Sequence, residues 1–224
     1  MVSTGLDTGG FMLGRPSLVC RWRMAAGNLP MENRHLRALA ARTVNGERVG
    51  QGLVAWAKQH IEWTLAKGSR EHPDGVLMLI VDEAGQAAMT VGPYEPLADT
   101  SLPAILRRVA DAKDEAAVTG VAPETLWLVQ GGSIVHSGAA GRQASAACSL
   151  IEDLAHTLGI PTVRREMLPE EVRLGLVAYD EAFLVSDEHG VVGVAGHEGA
   201  KVARFAGAYE RLLATERTRH PRQD

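Results

Sequence analysis

Two hydrophobic periodicities are interleaved along this chain, and that alternation restricts its fold more than any other feature. Residues 17–24 (SLVCRWRM) alternate in the two-residue period of a half-buried strand. Gly27 and Pro30 then mark a turn. Residues 31–42 read as a short helix and 46–66 as a longer one. In the longer helix Val49, Leu53, Trp56, Ala57, His60, Ile61 and Leu65 fall on one stripe. Gly68 closes it, where a left-handed residue is tolerated. The run 75–82 (GVLMLIVD) is rich in Val, Leu and Ile, 83–85 turns, and 86–92 returns, which makes a hairpin.

Residues 93–101 (PYEPLADTS), with two prolines and a polar end, read as a linker. It divides a domain 1–95 from a larger domain 96–224. The second stretch gives a helix at 102–113, strands at 124–130 and 132–136, and an amphipathic helix at 144–158 that Gly159-Ile160-Pro161 ends. Strand 162–166, a short helix at 168–174, strands 180–186 and 190–194, and a helix at 199–215 follow. That last helix turns Val202, Phe205, Ala206, Tyr209, Leu212 and Leu213 inward, and the charged tail 216–224 is expected to fray. Strands and helices mixed in this way, with a hairpin in the first half, argue for an α+β protein. The net charge of −4 gives no footprint for nucleic acid. No apolar run nears the ~20 residues of a membrane span. The start MVSTGLDTGG lacks the layout of a signal peptide. Cys20 and Cys148 are the only cysteines, without a CxxC, so a reducing cytoplasmic setting is expected.

Several segments resemble, in order, those of class IV aminotransferases, the fold-type IV pyridoxal phosphate (PLP) enzymes that include aminodeoxychorismate lyase. GFMLGRPSLVCRWRMAAGNLPMENRHLRAL resembles the family's first strand, turn and helix, with His35 near that helix's start. Residues 119–137 resemble the strand pair leading to the phosphate loop, and 150–162 (LIEDLAHTLGIPT) the helix after it. Residues 169–194 are similar to the helix, strand and second phosphate loop, and 197–213 to the last helix. The resemblance implies a two-domain, D-amino acid aminotransferase-like fold: a small N-terminal α/β domain, a C-terminal pseudo-barrel, an interdomain cleft and a homodimer.

PLP chemistry needs a lysine amine, a carboxylate at the ring nitrogen and anchors for the phosphate. By the resemblance the lysine falls at Asp99 or Ala104, yet 97–112 (LADTSLPAILRRVADA) holds no lysine, and Lys113 is placed at the exposed far end of its helix. The ring carboxylate falls at Gly120, the phosphate arginine at Ala38, and the phosphate loops at Ser145-Ala146-Ala147 and Val185-Ser186-Asp187. The resemblance thus implies a degenerate member that has lost its Schiff-base lysine, with no cofactor expected. It would act on a small anionic metabolite, or bind one without turnover, or pair with an active relative. A PLP enzyme with its lysine placed elsewhere is the third reading.

The residues that would serve such a pocket follow from the same resemblance. Arg21 and Arg23, on one face of the first strand, would clamp a carboxylate or phosphate; the alternative is that both face solvent. Asp187, Glu188 and His189 stand at the pocket's edge. There His189 would be a general base oriented by a carboxylate, with Asp187 catalytic and Glu188 binding ligand. They would also suit a metal together with His136 or His197, or be only a polar turn. His136 ends its strand beside the phosphate loop and is a further catalytic candidate, or a surface histidine. Cys148 lies on an apolar stripe and reads as core more readily than as a nucleophile.

Overall fold

The computed structural model describes residues 12–219. The first sheet takes β1 (Pro16–Arg23), β4 (Val76–Asp82) and β5 (Ala87–Gly92) in the order β1-β4-β5, all antiparallel. The alternation in β1 sorts Leu18, Cys20 and Trp22 into the core and leaves Val19 and Arg21 outside. Helices α1 (Glu32–Ala40) and α2 (Gln51–Gly68) pack on that inner face, around Trp22, Leu36, Leu39, Ile61, Leu77 and Leu79. Helix α2 starts at Gln51 rather than 46. Before it, β2 (Thr43–Val44) and β3 (Glu47–Arg48) pair across Asn45-Gly46, both at positive φ. Asn-Gly is the dipeptide that such a two-residue hairpin favours.

The second sheet has five strands: β6 (Glu124–Gln130), β7 (Ser133–His136), β8 (Thr162–Arg164), β9 (Glu181–Ser186) and β10 (Gly190–Gly193). Their order is β10-β9-β6-β7-β8, antiparallel except for the parallel pair β7–β8. Alternate β6 residues feed two cores. Trp127 and Val129 meet α4 (Ala146–Thr157) and α6 (Ala200–Arg219); Leu126 and Leu128 meet α3 (Leu102–Thr119) and α5 (Leu168–Arg173). Helix α3 runs on to Thr119, past the expected end at 113, and stops where Gly120 takes φ 86. Helix α6 runs to Arg219, into the tail expected to fray; residues 220–224, and the start MVSTGLDTGG, lie outside the described residues. Among the described residues no helix is long and apolar enough to cross a membrane.

The two sheets are joined by specific bonds. Arg23 N–H donates to the Asp187 carbonyl at 3.0 Å. Arg34 donates to Ser149 Oγ and Asp153, and the buried Arg42 to Glu115 and Thr119. An arginine this deeply buried is held only because its guanidinium is paired.

Candidate functional site

A cavity of about 230 Å³ lies between the outer face of β1, helix α3 and the turn from β9 to β10. Val19 and Arg21 line it from β1, Arg108 from α3, and Glu124, Ser186 and Glu188 from the second sheet. Arg108 grips Glu124 with two bonds of 2.7 and 2.9 Å. Ser186 Oγ donates to Glu124 at 2.9 Å and accepts from the backbone N–H groups of Glu188 and His189. That serine therefore fixes the turn carrying both residues. Arg21 Nη1 stands 3.4 Å from Glu188 Oε2, and the arginine is more than half exposed. His189 Nε2 is 3.9 Å from the same oxygen, while its Nδ1 is buried with no partner. Burial lowers the His189 pKa below its ordinary value, although Glu188 pulls the other way.

Arg21, Glu188 and His189 thus lie close together. Arg23 does not join them. Its guanidinium lies 3.3 Å over the ring of Tyr94, from the segment 93–101, and its Nη1 is buried without a partner. The expected two-arginine clamp is not formed, because cation–π stacking draws one of the pair away.

Asp187 is also not at a pocket edge. It is 3% exposed, and its carboxylate accepts from Ala147 N–H at 2.8 Å, at the first turn of α4. The free N–H groups and dipole of a helix start favour an anion there, and this chain supplies its own. Burial pushes the Asp187 carboxyl up to about 6 against the pull of the Ala147 N–H and Arg42. His35, fully buried with neither ring nitrogen bonded, stands 3.8 Å from it. Burial first, then Arg42, drives His35 down to about 3.

His136 sits in neither place. It is 1% exposed at the end of β7, its ring stacked on Trp127 at 4.1 Å, and it lines a separate cavity of about 240 Å³. Cys148, Ser145, Arg164 and Lys113 line that cavity too. His136 Nε2 is 3.0 Å from Glu152 Oε1 without the alignment of a hydrogen bond. Arg164 holds both Glu152 oxygens, at 2.7 and 2.8 Å. Burial raises the Glu152 carboxyl, but His136 and Arg164 outweigh it and hold it down at about 2. Among the described residues Asp187, Glu188 and His189 form no metal-holding group with His136 or His197. Glu152 and Arg164 were not singled out in the sequence; the one available signal was that Glu152 lies four residues after Cys148 on an amphipathic helix.

The positions expected for a cofactor resolve as follows. Asp99 accepts from Ser101 N–H ahead of α3, Ala104 is core, Gly120 is the helix stop, and Ala38 is buried. Of the chain's four lysines (Lys58, Lys67, Lys113 and Lys201), only Lys113 lines either cavity. It is half-buried, not fully exposed, and its amine contacts Glu170 at 2.6 Å.

No family model matches the chain, and no curated protein does. Solved structures match over most of its length. A hypothetical aminotransferase from Mycobacterium tuberculosis, in a PLP-bound form, is 12% identical with a TM-score of 0.62, covering 95% of this chain and 96% of that one. A fold IV-transaminase from Curtobacterium pusillum is 12% identical at a TM-score of 0.61, covering 96% and 92%. The 4-amino-4-deoxychorismate lyase from Pseudomonas aeruginosa is 17% identical at 0.52, covering 94% and 96%. These matches correct the expectation of no cofactor: the similar structures include forms bound to PLP and to PMP, which point to PLP. The residues present suit PLP in part. Lys113 offers an amine at the second cavity, and Arg142 and Arg164 offer cations, whereas the start of α4 is closed to a phosphate by Asp187. The chain has the class IV aminotransferase-like fold, the mixed α+β fold of aminodeoxychorismate lyases and fold-type IV transaminases.

Proposed function

We propose that this protein is an enzyme that takes a small anionic metabolite in the cleft between β1, α3 and the β9–β10 turn. The observation that carries this reading is the convergence of Arg21, Arg108 and Glu188 around one cavity, with His189 Nε2 behind them, 3.9 Å from Glu188. A substrate carboxylate would replace Glu188 on Arg21, the more exposed and weakly held of the two arginines. Glu188 would then be free to orient His189. Burial keeps that imidazole neutral near pH 7, so it can accept a proton. The cofactor to test first is PLP, which when bound would supply an electron sink for a developing carbanion, although its candidate amine, Lys113, lines the second cavity and not this cleft. The absence of a lysine at the family's usual place is part of the proposal, supported by the lysine-free run 97–112. So are a division into two domains near 93–101, a homodimer and a cytoplasmic setting; the separate cores and the two unpaired buried cysteines support the first and last.

The test is calorimetric binding of small carboxylates, including 2-oxo acids and amino acids, with and without PLP, followed by turnover assays on those that bind. Arg21→Ala should weaken binding by roughly tenfold or more, the loss of one charge-assisted contact. His189→Gln should leave binding intact and abolish turnover. Unchanged affinity in Arg21→Ala sinks the reading. Binding without turnover in the unaltered protein favours a second one, a non-catalytic ligand-binding or partner subunit, which the tight Arg108–Glu124 pairing supports.

A further inference from the structure

We propose that His136, Cys148 and Glu152 form a site for a divalent transition metal, of the zinc class, at the floor of the second cavity. The site is separate from the cleft and does not depend on the reading given to it. Cys148 and Glu152 are four residues apart on α4, which puts both side chains on one face of the helix. His136 reaches the same point from the end of β7. One ligand atom from each residue, and all of those atoms, lie within 4.8 Å of one another. Tetrahedral bonds of ~2.0–2.3 Å place neighbouring ligands ~3.5 Å apart, so closing on an ion takes side-chain adjustment rather than backbone movement. A thiolate, an imidazole and a carboxylate are a donor set that zinc accepts.

The second observation concerns the His136 ring. Its Nδ1 lies 3.3 Å from the Ser137 carbonyl, an acceptor only, so Nδ1 carries the hydrogen. That leaves the Nε2 lone pair facing a carboxylate oxygen at 3.0 Å, with no aligned donor between them. Arg164 Nε already bonds that oxygen, so the unmet need lies at Nε2, and the sulfur of Cys148 beside it makes a metal ion the fitting partner. Ser137 and Trp127 then hold the ring as an outer shell. Arg164 steadies Glu152 by bonding both of its oxygens, Oε1 included, and balances the charge of thiolate and carboxylate. On binding, the Cys148 thiol gives its proton to solvent and forms the sulfur–metal bond. His136 and Cys148 both line the cavity, so the fourth position opens toward it, where water or a ligand oxygen completes the shell.

Titration of the full chain with cobalt(II) tests this, followed by displacement with zinc. The expected result is one ion per chain and a thiolate-to-cobalt charge-transfer band. Cys148→Ser should remove the band, and Glu152→Gln should weaken binding by more than the ~10–100-fold typical of outer-shell changes. Cys20→Ser should change neither. A metal-free chain whose His136 ring carries two protons by NMR overturns the proposal, as does a band that survives in Cys148→Ser. Circular dichroism of each variant separates a lost ligand from a lost fold. Arg21→Ala should leave metal affinity unchanged, so failure here and failure of the cleft reading are distinguishable.

Discussion

The cleft and the second cavity are lined by different faces of α3, and they hold their charges differently. In the cleft Arg21 is more than half exposed and meets Glu188 at 3.4 Å, an arrangement that costs little to break. In the cavity His136 is shut away from water, stacked on Trp127, and its carboxylate partner is gripped twice by Arg164. The first is suited to exchanging partners with a ligand. The second is suited to holding fixed geometry, because a buried charge that loses its partner is strongly destabilising.

The largest effect expected is all-or-none. If the cavity is where PLP reacts, the unaltered protein incubated with PLP should gain a visible absorption band, and borohydride should label the peptide carrying Lys113. Lys113→Ala should show neither. A labelled Lys58, Lys67 or Lys201 would move the cofactor away from both cavities. Next is Glu152→Ala, which strips His136 and Arg164 of their shared anion and should cost about 3 kcal/mol in denaturant unfolding. A loss below ~1 kcal/mol would show that the cavity is no more rigid than the cleft. Asp187→Ala leaves the buried Ala147 N–H without its acceptor and should cost ~1–3 kcal/mol by the same measurement. Arg21→Ala should be the mildest, below ~1 kcal/mol in stability, while weakening ligand binding.

Asp187 and His35 also give opposite pH slopes. A carboxyl raised to about 6 holds a proton that the unfolded chain has released, so its contribution falls as pH rises from about 4 to about 6. A histidine lowered to about 3 refuses a proton that the unfolded chain takes up, so its contribution is lost as pH falls from about 6.5 toward 3. The two oppose each other in the unaltered protein. Asp187→Asn keeps an acceptor for Ala147 but leaves the histidine slope unopposed. Its unfolding free energy should drop more steeply than that of the parent between pH 6 and 4.

Much of the fold was legible because it rests on local pattern. The alternation in β1 and the apolar stripe of α4 each name their buried face directly. The hairpin at Asn45-Gly46 has its own turn signal, but the stripe of α2 continues backward through Val49 and masks it. The site was less legible because its partners are far apart in sequence. Nothing local pairs Glu152 with His136, or tells Asp187 to turn inward to Ala147, forty positions away. Arg23 shares a strand face with Arg21, and only the tertiary placement of Tyr94 separates them. His35 is reached only by resemblance, since no property of that histidine alone marks it.

Glu124 lines both the cleft and the cavity. It is a party wall. Whatever draws Arg108 away from it in the cleft alters the charge that the cavity sees, and an occupant of the cavity changes how tightly Arg108 is kept. Thermodynamic linkage makes that traffic equal in both directions. Any change that a guest on one side makes in the affinity for a guest on the other is returned by the same factor.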